Sequence, residues 1–308
     1  MNTEALRTVA ATYGTPTYIF DVREVEARIR LLRSLLPEDT GLCFAVKANP
    51  FLIPYVADLV DRLEVCSPGE YEICIQEQIA PEKIVVSGVN KTYESMKRIL
   101  SYSKGAGIYT IESEEHAKIL RTLAEKNQMP LSVLIRLSSG NQFGVDAETF
   151  LRLAKEIQES PYLTLAGVHY YAGTQKRQSK LEKELDTLTA FAKTFEEETG
   201  TVLNELEYGA GMKVSYFIND SEKDQRESEP EPQIQALAEK LRTCAYGKKT
   251  IELGRFLVSM SGYYLTRVMD VKRTAQPGFL ILDGGIHQIN YYGWMMGCLL
   301  YTSPSPRD

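Results

Sequence analysis

The sequence predicts an α/β protein: a (β/α)8 TIM barrel followed by the first strands of an incomplete β domain. Two observations predict the barrel. Eight short apolar, β-branched runs alternate with stretches of helical periodicity, and eight such units specify a closed barrel more naturally than an open sheet. No G-x-G-x-x-G follows the first run, which takes away the main signature of a doubly wound dinucleotide fold. A third observation predicts the second domain: after residue 255 apolar runs follow one another with only a turn between them.

The barrel strands are read at LCFAV (42–46), RLEVC (62–66), KIVVSG (83–88), GIYTI (107–111), LSVLIRL (131–137), LAGVHYY (165–171), LNELEY (203–208) and TIEL (250–253). Between them SPGEYEICIQEQ, KTYESMKRILSYS, SEEHAKILRTLAEKN, DAETFLRLAKEIQES and KLEKELDTLTAFAKTFEEETG carry helical periodicity, several opening on Ser, Thr or Asp as helix caps do. The charged, proline-containing NDSEKDQRESEPEPQ (219–233) reads as a solvated surface loop. Beyond the barrel, FLVSMSGYYLTRVMDVKR and GFLILDGG read as strands joined by the turn TAQPG. The expected organisation is therefore an N-terminal segment (1–21) packing with the β domain, a barrel (22–255), the first strands of the β domain (256–297) and a tail (298–308). That tail, CLLYTSPSPRD, reads as a non-native scar, so that the natural chain is interrupted near Gly297.

Composition narrows the function. With 308 residues, 44% of them apolar, the chain can build a real core. A net charge of −6 and no basic block disfavour nucleic acid. The N-terminus lacks a basic region followed by an apolar core, and no apolar run approaches a membrane span. The five cysteines are odd in number and form no C-x-x-C pair, which fits a reducing cytoplasm. His116, His169 and His287 show no metal spacing, and no metal site is expected.

In a barrel of this kind the chemistry sits at the C-terminal ends of the strands. The first strand delivers Lys47 there, the second Ser67, the fifth Arg136, the sixth Tyr171 with Gly173 and Thr174, the seventh the turn GAG (209–211), and the eighth ELGR (252–255). Glycines and an arginine after the last two strands suit a phosphate, because backbone N–H groups approach an anion where no Cβ intrudes. A lysine, a phosphate cradle, a carboxylate and an aromatic ring at one rim are the parts a pyridoxal phosphate site requires. Lysine forms the Schiff base, the ring stacks, and Glu252 beside the pyridine nitrogen would favour its protonated form. The bland alternative is that the first strand simply ends at Lys47 and the ammonium reaches water.

These residues carry a resemblance. YGTPTYIFD (13–21), AVKANP (45–50), SPGE (67–70), QFGVD (142–146), GVHYYAGTQ (167–175), GAG, ELGR and LDGG (282–285) resemble, in order, the motifs of the fold-type III pyridoxal-phosphate decarboxylases, with an alanine racemase-like barrel; the diaminopimelate decarboxylase branch of the ornithine, diaminopimelate and arginine decarboxylases is nearest. The resemblance spans residues 10 to 297. It implies decarboxylation of an amino acid, with Lys47 as the Schiff-base lysine, Gly209, Gly211, Gly254 and Arg255 around the phosphate, and Thr174 where the family often has a phosphate-binding serine. Glu252 would pair with the pyridine nitrogen, and Glu64 stands where an aspartate is usual.

Two departures bear on function. A histidine against the cofactor ring is replaced by Tyr171, which stacks but cannot act as an imidazolium. His169, two residues earlier on the same side of an ideal strand, reads as a hydrogen-bonded barrel histidine rather than a catalytic acid. Secondly, the Arg-Pro pair usual after DGG is absent; Tyr291 and Tyr292 stand there. This weakens meso-diaminopimelate as substrate and raises other amino acids, including carrier-protein-linked ones. A racemase is disfavoured, because PFLIP follows the lysine motif.

Arg136 fits a substrate pocket or an ion-paired rim, Asp283 a substrate contact or a turn cap, and Ser67 a helix cap or a cofactor contact. The family's proton donor is often a cysteine from the partner subunit of a homodimer; Cys298 lies in the tail and is not nominated. An alternative of another class is a cofactor-binding but catalytically incomplete fragment.

Overall fold

The structure, a computed structural model, describes residues 1–216, 221–273, 278–285 and 288. The chain divides into two compact units, one of residues 22–260 and one of residues 1–21 with the segment from 261 onward.

In chain order the strands are β1 (Thr17–Phe20), β2 (Thr40–Ala45), β3 (Arg62–Val65), β4 (Ile84–Val86), β5 (Ile108–Ile111), β6 (Leu131–Arg136), β7 (Leu163–Tyr171), β8 (Glu205–Gly209), β9 (Lys248–Leu253), β10 (Gly262–Leu265), β11 (Val268–Lys272) and β12 (Phe279–Leu282). β2 to β9 are all parallel and close into an eight-stranded barrel, β9 pairing back onto β2 with Cys43 opposite Glu252. All eight predicted barrel strands are present. A parallel barrel buries both faces of each strand, which is why these segments read as near-continuous apolar runs.

Cys43, Val85, Ile108 and Leu134 from four different strands form a buried cluster with Ala166 packed against it. Charged residues also enter the barrel strands, and they are paired: Arg62 meets Glu205 and, at 2.8 Å, Glu207. The helices start as their sequences require. Ser67, Thr92, Ser113 and Asp146 each accept a hydrogen bond from a first-turn backbone N–H. Ser67 acts as the cap of the helix Pro68–Gln76, taking the Glu70 N–H at 3.2 Å.

Two predicted segments differ. The described part of 219–233 is helical rather than a loop: Glu222–Glu227 is one helix and Pro230–Thr243 another. Ser221 caps the first, Lys213 holds Asp224 and Glu227 at 2.7 and 2.8 Å, and Pro230 at the opening of the second has its φ preset for helix. In the run after residue 255, Arg255–Val258 is a short helix, and the strands begin at Gly262.

In the other unit a helix, Thr3–Tyr13, precedes β1, which pairs antiparallel with β10, Thr17 opposite Leu265. β11 and β12 form a separate antiparallel pair. The predicted tail 298–308, His287, Tyr291, Tyr292 and Cys298 lie outside the described residues. Among the described residues no helix is long and apolar enough to cross a membrane.

Candidate active site at the barrel rim

Lys47 follows β2 in a short 3-10 turn, Val46–Ala48, that lifts its side chain off the strand. Its ammonium lies 2.9 Å from Glu64 Oε2, 3.4 Å from Glu252 Oε1 and 3.4 Å from Cys66 Sγ, with the Tyr171 ring centroid at 5.4 Å. The side chain keeps 41% exposure because it lines a cleft, so this is no snorkelling lysine at a strand end. Burial opposes the charge on Lys47, but Glu252 and Glu64 outweigh it and raise its proton affinity well above the ordinary value.

Glu252 ends up between two cations or donors. One oxygen faces Lys47, and the other meets His169 Nε2 at 3.1 Å. Burial pushes its carboxyl up, yet Lys47 and His169 overcome this and hold it at about 2. Glu64 is likewise spanned: Oε2 takes Lys47, and Oε1 takes the Cys66 thiol at 2.8 Å. Burial and then the Glu64 charge push the Cys66 thiol up, so it stays a protonated donor.

Two adjoining recesses share Lys47, Tyr171 and Glu252. The first, of about 220 Å³, is walled by Thr174, Gly211, Met212, Gly254, Arg255 and Phe256. Gly211 has φ +59, and a Cβ there would stand 2.1 Å from the Gly173 carbonyl oxygen. Gly209 is a glycine for a different reason: a Cβ would strike the Tyr171 ring at 2.4 Å. Arg255 bonds Tyr216 Oη and lies 5.4 Å from that ring's centroid. A glycine turn whose left-handed φ and crowding admit no side chain, beside an arginine and a threonine hydroxyl, is the donor set of a phosphate site. These residues therefore fit pyridoxal phosphate, with Lys47, Glu252 and the Tyr171 ring lining the same recess.

The second recess, of about 260 Å³, is walled by Glu64, Cys66, Gly88, Val89, Arg136, Phe143 and His169. Arg136 lines it and is ion-paired at once: Glu112 Oε2 lies at 2.8 Å and the Phe143 ring at 5.0 Å. Lys91, behind it, approaches Glu112 at 3.8 Å, and burial brings its ammonium down to about 8.

The barrel thus brings together Lys47, Glu64, Arg136, Tyr171, Thr174, Gly211, Glu252, Gly254 and Arg255, with Gly209 directly behind the Tyr171 ring. Asp283 belongs to the other unit. Its carboxylate accepts from Thr15, from Thr266 and, at 2.8 Å, from the Arg267 N–H, so within that unit it ties the connector between β10 and β11 to Thr15. Sequence reasoning left out His169, whose signal was its shared strand face with Tyr171, and Cys66, two residues from Glu64 on the same strand face. It also missed Lys176, buried behind the cradle with no pattern to mark it.

Residues 22–259 match the family described as pyridoxal-dependent decarboxylase, pyridoxal binding domain. A diaminopimelate decarboxylase from Actinosynnema pretiosum is 31% identical, the match covering 90% of this chain and 66% of the relative. An L-glutamyl-[BtrI acyl-carrier protein] decarboxylase from Niallia circulans is 25% identical over 93% of this chain and 71% of its own length. Among solved structures, AQ1208 from Aquifex aeolicus superposes with a TM-score of 0.79 at 25% identity, covering 91% of this chain and 68% of that one. The chain spans about two thirds of the length of the first of these relatives.

Proposed function

The chain belongs to the pyridoxal-dependent decarboxylases, and from that premise we propose that it is a pyridoxal-phosphate-dependent carboxy-lyase acting on an amino acid. The observation that carries this is the position of Lys47 Nζ, 2.9 Å from Glu64 and 3.4 Å from Glu252, in a recess that Gly211, Gly254 and Arg255 also line. When bound there, the cofactor supplies an electron sink for the pair left behind as carbon dioxide departs.

The chain's own residues do the rest. Thr174, Arg255 and the backbone around Gly211 bind the phosphate. Tyr171, backed by Gly209, presents a flat face against which a ring stacks. Glu252, held ionised by Lys47 and His169, fixes a full negative charge in a buried position where a protonated pyridine nitrogen is favoured. Lys47 rests as an ammonium and would bind the cofactor only as the free amine; Glu64 Oε2, at 2.9 Å, is the nearest group to accept its proton.

The reading extends to substrate. The stretch directly after LDGG, IHQINYYGWMMG (286–297), carries Tyr291 and Tyr292 and no arginine for a distal carboxylate, which favours an amino acid other than meso-diaminopimelate, or one carried on an acyl-carrier protein like the substrate named for the Niallia relative. Cytoplasmic residence and assembly as a homodimer belong to the same proposal.

The test is reconstitution. Pyridoxal phosphate added to the purified chain should give the visible absorbance of lysine-bound cofactor, abolished in Lys47→Ala. Carbon dioxide release should then follow with at least one member of a panel spanning diaminopimelate, lysine, ornithine, glutamate and a carrier-linked glutamate. No visible absorbance would overturn the cofactor site. Absorbance without release from any substrate would reduce the chain to a cofactor-binding protein.

A further inference from the structure

Lys176 is the most deeply buried lysine of the barrel unit, 3% exposed, and nothing in the reaction above uses it. Burial lowers its proton affinity. An ammonium there must be paired, because an unpaired buried charge is expensive. Its partner is Glu184, from the helix Gln178–Thr199, at 2.8 Å. The same Glu184 oxygen accepts from Tyr208 Oη at 2.7 Å.

What Lys176 does with its remaining donors is unusual. Nζ donates to the Gly209 carbonyl at 2.9 Å, and its backbone N–H donates to the Gly211 carbonyl, also at 2.9 Å. One residue therefore holds both glycine carbonyls of the GAG turn. A trans peptide points its C=O and the following N–H in opposite directions. Holding the two carbonyls on the Lys176 side aims the Ala210 and Met212 N–H groups to the other side. The neighbouring Gln175 extends the tie: its side chain donates to the Val214 carbonyl and accepts from the Val214 N–H, each at 2.8 Å. The ammonium also lies 5.8 Å from the Tyr171 ring centroid and 5.1 Å from that of Tyr208.

We propose that Lys176, with Glu184 as its counter-charge, is a positioning residue that presets the glycine turn for the cofactor's phosphate. Three elements converge on it: the GAG turn, the loop carrying Thr174, and the Tyr171 ring. The turn has no polar side chain of its own to fix it, and an anion site gains from donors already aimed before the anion arrives. The inference rests on the proposed cofactor site.

The experiment compares binding of pyridoxal phosphate and of pyridoxal, which attaches to the same lysine but carries no phosphate, by visible absorbance in the full chain. In Lys176→Met the affinity for pyridoxal phosphate should fall by about tenfold or more while that for pyridoxal is unchanged. Glu184→Gln preserves size and hydrogen bonding but removes the counter-charge, and it should shift the same ratio in the same direction by about threefold. This second variant decides the matter if Lys176→Met does not fold. Equal losses for the two ligands, or no loss for either, would overturn the positioning role while leaving the cofactor site intact. A wild-type chain that binds neither ligand refutes the cofactor site itself, and the positioning role falls with it.

Discussion

Replacing Glu252 with glutamine removes one negative charge from the floor of the cleft and little else, since the side chain keeps its length. In the wild type the carboxyl is held at about 2 against an ordinary value of 4.5, although burial alone would push it up. The folded state therefore binds the proton less tightly than the unfolded state. Between those two pH values the unfolded chain carries more protons, so stability rises with pH, reaches its full contribution above about 4.5, and is lost as the pH falls through about 2. A displacement of that size corresponds to about 3 kcal/mol. It is an upper figure, because Lys47, the principal cause, is 41% exposed and partly screened by solvent. The assay is urea unfolding of wild type and Glu252→Gln at a series of pH values from 2 to 6, read as the difference between the two stabilities. That difference should grow by roughly 2–3 kcal/mol from the acid end to pH 6. A difference that stays flat across the series refutes the claim that Lys47 and His169 hold Glu252 ionised.

Other perturbations separate the parts of the site. Gly211→Ala places a side chain at φ +59 with its Cβ 2.1 Å from a carbonyl oxygen; it should cost about 1–3 kcal/mol in chemical denaturation and abolish pyridoxal phosphate binding, and an unchanged denaturation midpoint would count against the turn geometry. Cys66→Ala removes the donor on Glu64 Oε1; cofactor affinity should fall by about threefold to tenfold and return in Cys66→Ser, whereas equal affinity in all three proteins would show Glu64 to be fixed without it. Arg136→Met leaves Glu112 buried, with the Lys91 ammonium at 3.8 Å. It should lose about 3 kcal/mol of stability, recovered in large part by adding Glu112→Gln, and no recovery in the double variant would break the argument for that pair.

The barrel is legible in the sequence because a strand buried on both faces must be apolar throughout, and eight such runs stand out between amphipathic segments. The rim follows from strand ends: Lys47, Tyr171 and Glu252 meet because parallel strands all deliver their C-terminal residues to one side. What the sequence hides is held by tertiary charge pairing. The helix Glu222–Glu227 has no buried residue and is fixed through Lys213, eleven positions before Asp224. Lys176 reaches Glu184 from a loop to a helix, a pairing that no periodicity encodes. The polar content of the runs RLEVC, LNELEY and TIEL is similarly uninformative until closure brings Arg62 onto Glu205 and Glu207, and Lys47 onto Glu64 and Glu252.

The tyrosine at position 171 makes sense against these cations. Its ring centroid lies 5.4 Å from Lys47 Nζ, 5.8 Å from Lys176 Nζ and 6.0 Å from the Arg136 guanidinium. Each of the nearby carboxylates is ion-paired, Glu64 and Glu252 with Lys47, Glu112 with Arg136, and Glu184 with Lys176. Three neighbouring positive charges work against the cationic form of an imidazole in that position. A phenol ring instead offers them a negative face, which attracts each cation at these distances. Burial keeps the hydroxyl protonated, so the ring carries no charge of its own. The imidazole is found one step down the same strand face, at His169, where it meets the carboxylate of Glu252 and not a cation. Tyr171, His169 and Lys176 are thus a consistent set: the neutral ring sits among the cations, and the imidazole sits against the carboxylate of Glu252.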